Sequence, residues 1–190
     1  MSKNRLEAFS DAVIAIIMTI MVLELRPPHG VDWEALRPLV PKFLTYLLSF
    51  AFLGIYWNNH HHMLQAASKV NGKILWANIH LLFWLSIIPF VTAWMGEAHL
   101  AVAPTAAYGV VLVFCAVAYT VLQATILSHH GPDSALRQAI GSDFKGKLSV
   151  ACYTAAVGLA FVNPWLAIAL YVFVALVWLV PDRRIERTLS

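Results

Sequence analysis

The first apolar segment of the sequence contains two polar residues, Ser10 and Asp11, which could accept hydrogen bonds or, for the Asp11 carboxylate, exchange a proton. The apolar run after them covers residues 12–23, and 12 residues of helix reach about 18 Å. A bilayer core is about 30 Å thick, which places Ser10 and Asp11 at membrane depth. Because a central aspartate costs on the order of 3 kcal/mol, Asp11 is expected to face protein or water; an interfacial position is the alternative.

A second set of residues lies along one side of the same segment. At 100° per residue, six positions form a stripe that Ser10 and Asp11 do not share. The stripe consists of Arg5, Phe9, Ala12, Ile16, Thr19 and Leu23. Such a face usually packs against protein. If it lined a pore, Ile16 and Leu23 would form dewetting constrictions, and Thr19 would supply hydroxyl oxygens between them. The spacing is compatible with both interpretations.

Histidines 60–62 resemble a metal site, but consecutive helical residues point about 100° apart and cannot converge on one ion. A helical chelate needs ligands at positions i and i+4. Pairing Asp11 with His80 would give an acid and a base within the membrane, yet no nucleophile motif of the Gly-x-Ser-x-Gly type accompanies them. We therefore expect neither a metal, nor a cofactor, nor an enzymatic activity.

The composition of the chain indicates which elements must position these residues. Hydrophobic residues make up 60% of the sequence and charged residues 12%, with a mean hydropathy of +0.70. Globular domains contain about 25% charged residues, so lipid is the expected solvent. Apolar runs bounded by charge, Pro or Gly predict an all-α polytopic membrane protein, with six transmembrane helices in one domain covering residues 1–190. The predicted helices are 4–25, 41–66, 72–95, 104–129, 142–162 and 164–180.

The lysines and arginines predict the orientation of these helices. When they are assigned to alternate sides of six spans, ten fall on one side and three on the other. The positive-inside rule then places both termini in the cytoplasm, which requires an even number of spans. Since the basic residues lie between helices, the net charge of +3 is explained by topology, and no nucleic-acid partner is expected.

The motif Arg5-x-x-x-Phe9-Ser10-Asp11 opens the first helix, and polar patches follow in the next two helices. These patches contain Trp57, Asn58, His60 and His61 in the second helix, and Asn78, His80 and residues 86–90 in the third. In this setting the motif resembles the signature of the transmembrane protein 175 family, the endolysosomal and prokaryotic potassium channels. The resemblance extends over essentially the whole chain.

The resemblance implies a potassium-permeable cation channel, weakly to moderately selective and leak-like, in the plasma membrane of a prokaryote. Its prokaryotic members assemble as homotetramers around the first helix, with potassium as the permeant ion and lipid as a further partner. By position in the motif, Ile16 forms the main constriction, Thr19 the hydroxyl layer and Leu23 an outer narrow point. Ser10 and Asp11 would bond to some of Trp57, Asn58, His61, Asn78 and His80.

Two other classes of function remain open on the residues alone. A proton-coupled secondary transporter could use Asp11 and a histidine as a titrating pair. A membrane scaffold would show no flux and would have its first helix packed without a central axis. No Thr-Val-Gly-Tyr-Gly segment occurs in the sequence, so selectivity by rings of backbone carbonyls is not expected.

Overall fold

The computed structural model describes residues 2–67, 69–130 and 143–179. In these ranges all regular structure is helical, which confirms the all-α prediction. Two short 3-10 helices, Met21–Glu24 and Trp33–Leu39, lie between the first two α-helices. The described residues form six α-helices: α1 Lys3–Ile20, α2 Val40–Ala66, α3 Gly72–Glu97, α4 Val102–His130, α5 Phe144–Ala160 and α6 Pro164–Leu179.

Four helical regions of the described chain are long and apolar enough to cross a membrane. They are Lys3–Glu24, Trp33–Gln65, Gly72–Glu97 and Val102–His129. The last two helices are shorter, since α5 has 17 residues and α6 has 16. At 1.5 Å per residue they reach about 24–26 Å, somewhat less than the bilayer core. The predicted boundaries at residues 142 and 180 lie outside the described residues.

The first helix is shorter than predicted. The α-helical hydrogen-bond pattern ends at Ile20 rather than at residue 25, and a 3-10 helix follows. The backbone N–H of Leu25 donates to Val22 O at 3.0 Å, a bond of the shorter i to i+3 kind. Hydropathy did not indicate this change, because residues 20–23 are apolar in either helix type.

Helix α3 lies at the centre of the bundle, in contact with α1, α2 and α4. Helix α4 continues the packing onto α5 and α6, and α6 returns to contact α2. Leu81, Leu85 and Ile88 of α3 are fully buried, as are Leu112 and Cys115 of α4. The core therefore runs along α3 and α4, with α1 attached to one side of it.

Buried hydroxyl groups join the helices inside this core. The Ser49 hydroxyl of α2 lies 2.7 Å from that of Thr92 in α3 and 2.9 Å from that of Tyr108 in α4. Tyr171 of α6 donates to the Thr105 carbonyl oxygen of α4 at 3.0 Å. Because each group has a partner, these polar side chains avoid the cost of an unpaired buried hydroxyl.

Candidate functional site on the first helix

Helix α1 and the 3-10 helix after it have one buried side and one exposed side. The buried side faces α2 and α3. It consists of Leu6, Ser10, Ile14, Ile17 and Met21. These positions follow the helical repeat and lie opposite the predicted stripe. One side of α1 is therefore fixed to the subunit, whereas the other is available for contacts outside it.

All six residues of the predicted stripe are exposed in the single chain. The exposed fraction is 59% for Ile16 and 74% for Leu23, and Phe9 is half exposed. The Thr19 hydroxyl donates to Ile16 O at 3.0 Å, which leaves the lone pairs of its oxygen as acceptors. Leu23 lies in the 3-10 helix rather than in α1. The stripe is thus an apolar surface with one hydroxyl between two bulky aliphatic side chains.

Ser10 lies in a buried hydrogen-bond chain that joins the first three helices. The Asn78 amide Nδ2 of α3 donates to Ser10 Oγ at 2.9 Å, and Ser10 Oγ donates to Leu6 O at 2.8 Å. His60 Nε2 of α2 lies 2.6 Å from Asn78 Oδ1. Since this amide oxygen is an acceptor, His60 carries its donor hydrogen on Nε2. Ser10, His60 and Asn78 are fully buried, so this chain holds α1 from inside the bundle.

Asp11 lies at the edge of the contact between α1 and α2. The indole N–H of Trp57 donates to Asp11 Oδ1 at 3.0 Å. Trp57 is stacked on His61, with ring centroids 6.2 Å apart. His61 Nδ1 in turn lies 3.3 Å from Glu7 Oε1. The two contacts with α1 repeat at a spacing of four residues on each helix, so they run along a single interhelical seam.

Of the five predicted partners, the structure brings Trp57 to Asp11 and Asn78 to Ser10. The other three predicted partners, Asn58, His61 and His80, do not bond to Ser10 or Asp11, because the geometry of their helices directs their side chains elsewhere.

His61 contacts Glu7 instead of Asp11, because it lies one turn beyond Trp57 on a helix antiparallel to α1. His80 lies on an exposed part of α3, where its Nε2 accepts from Trp84 Nε1 at 3.0 Å. Asn58 is half-buried and has no hydrogen bond with Ser10 or Asp11 in the described part of the chain.

Sequence reasoning did not include Glu7 in this site, and it named His60 in the polar patch of the second helix but not among the partners of α1. The signal for Glu7 was the matching four-residue spacing of Glu7 and Asp11 on α1 and of Trp57 and His61 on α2. No comparable pattern singles out His60 among three consecutive histidines. Across the described residues, no group of three or more His, Cys, Asp or Glu side chains is arranged to hold a metal ion.

Comparison with known proteins adds independent information. The family model for the endosomal/lysosomal potassium channel TMEM175 matches residues 5–89, the part of the chain that contains α1, α2 and most of α3. A protein of Chryseobacterium sp. named as a potassium channel is 53% identical over 190 residues, which cover 100% of this chain and 99% of that protein. Another, from Streptomyces collinus, is 31% identical over 187 residues, covering 91% of this chain and 89% of the relative.

A solved structure supports the same relationship at the level of the fold. The crystal structure of a lysosomal potassium-selective channel TMEM175 homolog from Chamaesiphon minutus superimposes with a TM-score of 0.81. The sequence identity is 26%, and the match covers 95% of this chain and 97% of that one. Together with the bacterial relatives, whose matches cover 99% and 89% of their length, this confirms the resemblance seen in the first-helix motif: the chain belongs to the TMEM175 family.

Proposed function

We propose that this protein is a potassium-permeable cation channel whose ion path runs along the first helices of a homotetramer. The observation that carries the proposal is the exposed stripe of α1, with Ile16, Thr19 and Leu23 on a helix held firmly by its opposite side. The bacterial relatives reported above are named as potassium channels and match along almost their entire length, which supports the same function. Their names give no support to a proton-coupled carrier.

The chemistry of the stripe determines how such a pore would conduct. Around a central axis, four copies of Ile16 would form an apolar ring that holds water poorly, and ions pass only while the ring is wet. Four copies of Thr19 would offer hydroxyl oxygens to an ion between Ile16 and Leu23. The family resemblance implies a weak to moderate preference for potassium over sodium and a leak-like current, and rings of backbone carbonyls are not expected to contribute to that preference.

The two contacts on the other side of α1 set its rotation. Asn78 and Trp57 hold neighbouring residues of α1 from two different helices. Because consecutive helical residues point about 100° apart, this pair of contacts limits rotation of α1 about its own axis. The stripe is consequently held in one direction. In this role Ser10 and Asp11 position the pore-lining residues and do not contact the ion.

The channel is a multi-pass membrane protein, and its orientation follows from charge. We place both termini in the cytoplasm, because ten of 13 lysines and arginines fall on the side of the termini. The family resemblance and the bacterial relatives support a location in the plasma membrane of a prokaryote. It needs no cofactor and catalyses no reaction, since permeation through a wetted pore is passive.

Ion flux from liposomes tests this proposal. Purified protein reconstituted into liposomes is expected to pass potassium faster than sodium, with protein-free liposomes as the baseline. Ile16→Asn is expected to raise the flux, because a polar side chain eases wetting of the constriction. Ile79→Asn is the matched control, since Ile79 is an exposed isoleucine on α3 and not part of the α1 stripe. A reconstituted tetramer that passes no ions, with or without Ile16→Asn, would contradict the proposal.

A further inference from the structure

A groove of about 850 Å³ lies between the start of α3 and the end of α4, away from the α1 site. Its residues recur at helical spacing on both helices, with Lys73, Trp76 and Ala77 on α3 and Val121 and Thr125 on α4. This is the end of the bundle that also holds Lys3 and Lys145, and it is the cytoplasmic end in the proposed orientation.

We propose that this groove binds the headgroup of an anionic phospholipid. Lys73 supplies positive charge, and it has no ion pair with any described residue. None of the described residues that line the groove is acidic. Basic pockets between transmembrane helices on the cytoplasmic side are suited to acidic headgroups, and the N-terminal dipole of α3 favours an anion at the same place.

The donors of the groove match a phosphate group. Trp76 is 73% exposed, and its indole N–H has no hydrogen-bond partner among the described residues. The Asn71 side chain is oriented by Ile74 N, which donates to Asn71 Oδ1 at 3.0 Å. The Asn71 amide Nδ2 therefore faces His129 Nδ1, at 3.2 Å, so this amide is already engaged within the groove.

The remaining polar groups of the groove contribute less to anion binding. Thr125 and Ser128 donate their hydroxyl hydrogens to carbonyl oxygens of α4, at 2.7 and 2.8 Å. Their oxygens thus offer lone pairs, which repel a phosphate. Binding of the headgroup rests on the Lys73 ammonium and the Trp76 indole.

The walls of the groove favour a lipid over a free phosphate ion. Below Lys73, the exposed side chain of Val121 continues the groove toward the membrane, with the buried Ala77 at its floor, and this apolar surface suits an acyl chain rather than water. Tryptophan is enriched at headgroup depth because its ring is amphipathic.

A second groove at this end, between α4 and α5, differs in that Lys147 shares it with the carboxylate of Asp143. That acidic neighbour offsets the lysine charge and provides an internal comparison.

Lipid titration followed by native mass spectrometry tests the inference. Protein in neutral detergent is titrated with phosphatidylglycerol and, separately, with phosphatidylcholine. Wild type is expected to bind phosphatidylglycerol in preference, and Lys73→Gln to weaken that binding about fivefold, the contribution of one basic residue near an anionic surface. Lys147→Gln, the same charge change at the same end, is expected to leave it unchanged. Trp76→Phe keeps an aromatic side chain but removes the indole N–H, and is expected to weaken phosphatidylglycerol binding less than Lys73→Gln does.

Three outcomes would overturn the inference. If Lys73→Gln and Lys147→Gln weakened phosphatidylglycerol binding equally, the lipid would be attracted to the basic surface in general and not to this groove. Competition by millimolar inorganic phosphate would show a site for free anions. Dissociation of the oligomer by Lys73→Gln in lipid-free detergent would place the groove at a contact between subunits.

Discussion

Ser10 and Asp11 are neighbours in the sequence but hold α1 in different surroundings. Ser10 is fully buried and bonds to Asn78, whose amide also accepts from His60. Asp11 is half-buried and bonds to Trp57 at the edge of the bundle. Loss of a buried partner leaves an unpaired polar group in a low-dielectric interior, whereas water can reach the edge. Ser10 is therefore the stronger of the two attachments.

Substitution of Asp11 separates a positioning role from a titrating one. Asp11→Asn keeps an oxygen that accepts from the Trp57 indole, so the fold and the potassium flux are expected to persist. Asp11→Ala removes the acceptor and is expected to cost about 1 kcal/mol of stability. Thermal unfolding in detergent and liposome flux measure the two effects. If Asp11→Asn unfolds normally but passes no ions, the carboxylate itself is required, as in a proton-coupled carrier.

The residues of this site were predictable by type but only partly by pairing. A serine and an aspartate at membrane depth require polar partners, and the family resemblance offered Trp57 and Asn78 among the candidates. Which side chain meets which depends on the vertical register of each helix against its neighbours. The register of α2 against α1 placed His61 beside Glu7, and the register of α2 against α3 placed His60 beside Asn78. Residue spacing shows which pairs could form along two helices, but it does not fix the offset between them.

At the scale of helices, α4 and α6 approach closely at Gly109. A Cβ atom added there would collide with the Tyr171 hydroxyl and a Val157 methyl group. Tyr171 cannot move freely, because it is buried and donates to Thr105 O at 3.0 Å. Absence of a side chain at Gly109 therefore permits this contact between helices.

Gly109→Ala is expected to destabilise the protein by about 1–3 kcal/mol, the usual cost of overpacking a core. Gly158→Ala in α5 is the matched control, because no atom lies within 4 Å of the added Cβ. Alanine also has a higher helix propensity than glycine, so Gly158→Ala is expected to leave the stability unchanged or to raise it slightly. Thermal unfolding of both variants in one detergent measures the difference. Equal stability of the two would contradict the close packing of α4 and α6.

Helix positions were largely predictable from apolar runs and from the residues that end them. Pro27 and Pro28 end the first segment, and Asn71 caps α3 through Ile74 N as its position before the helix suggests. The change to 3-10 geometry at Met21 was not predictable, because apolar residues satisfy hydropathy in either geometry. Close approaches such as Gly109 against Tyr171 depend on neighbours distant in the sequence.

At the scale of the whole molecule, the described part of one subunit leaves the stripe of α1 open to its surroundings. The stripe lies on the outside of the bundle, with Ile16 and Leu23 exposed. A pore along this surface requires other copies of the chain to close it. Composition and charge predicted the membrane class and the six helices, whereas the tetramer came from the family resemblance, since residue spacing does not specify the number of subunits.

The oligomeric state follows as a prediction. Protein in mild detergent is expected to have a mass of four times 21.1 kDa, about 84 kDa after subtraction of the detergent. Light scattering coupled to size exclusion measures this mass. A monomer under conditions that preserve ion flux would rule out a pore between subunits.

Thiol modification of Ile16→Cys during recordings in a planar bilayer tests most directly whether the first helices line the ion path. Wild type contains Cys115, which is buried, and Cys152, which is half-buried, so its response to the reagent gives the background. A charged, water-soluble thiol reagent is expected to reduce the potassium current of Ile16→Cys. Ile79→Cys, on the exposed side of α3, is expected to keep its current. An unchanged current in fully modified Ile16→Cys would show that ions pass elsewhere.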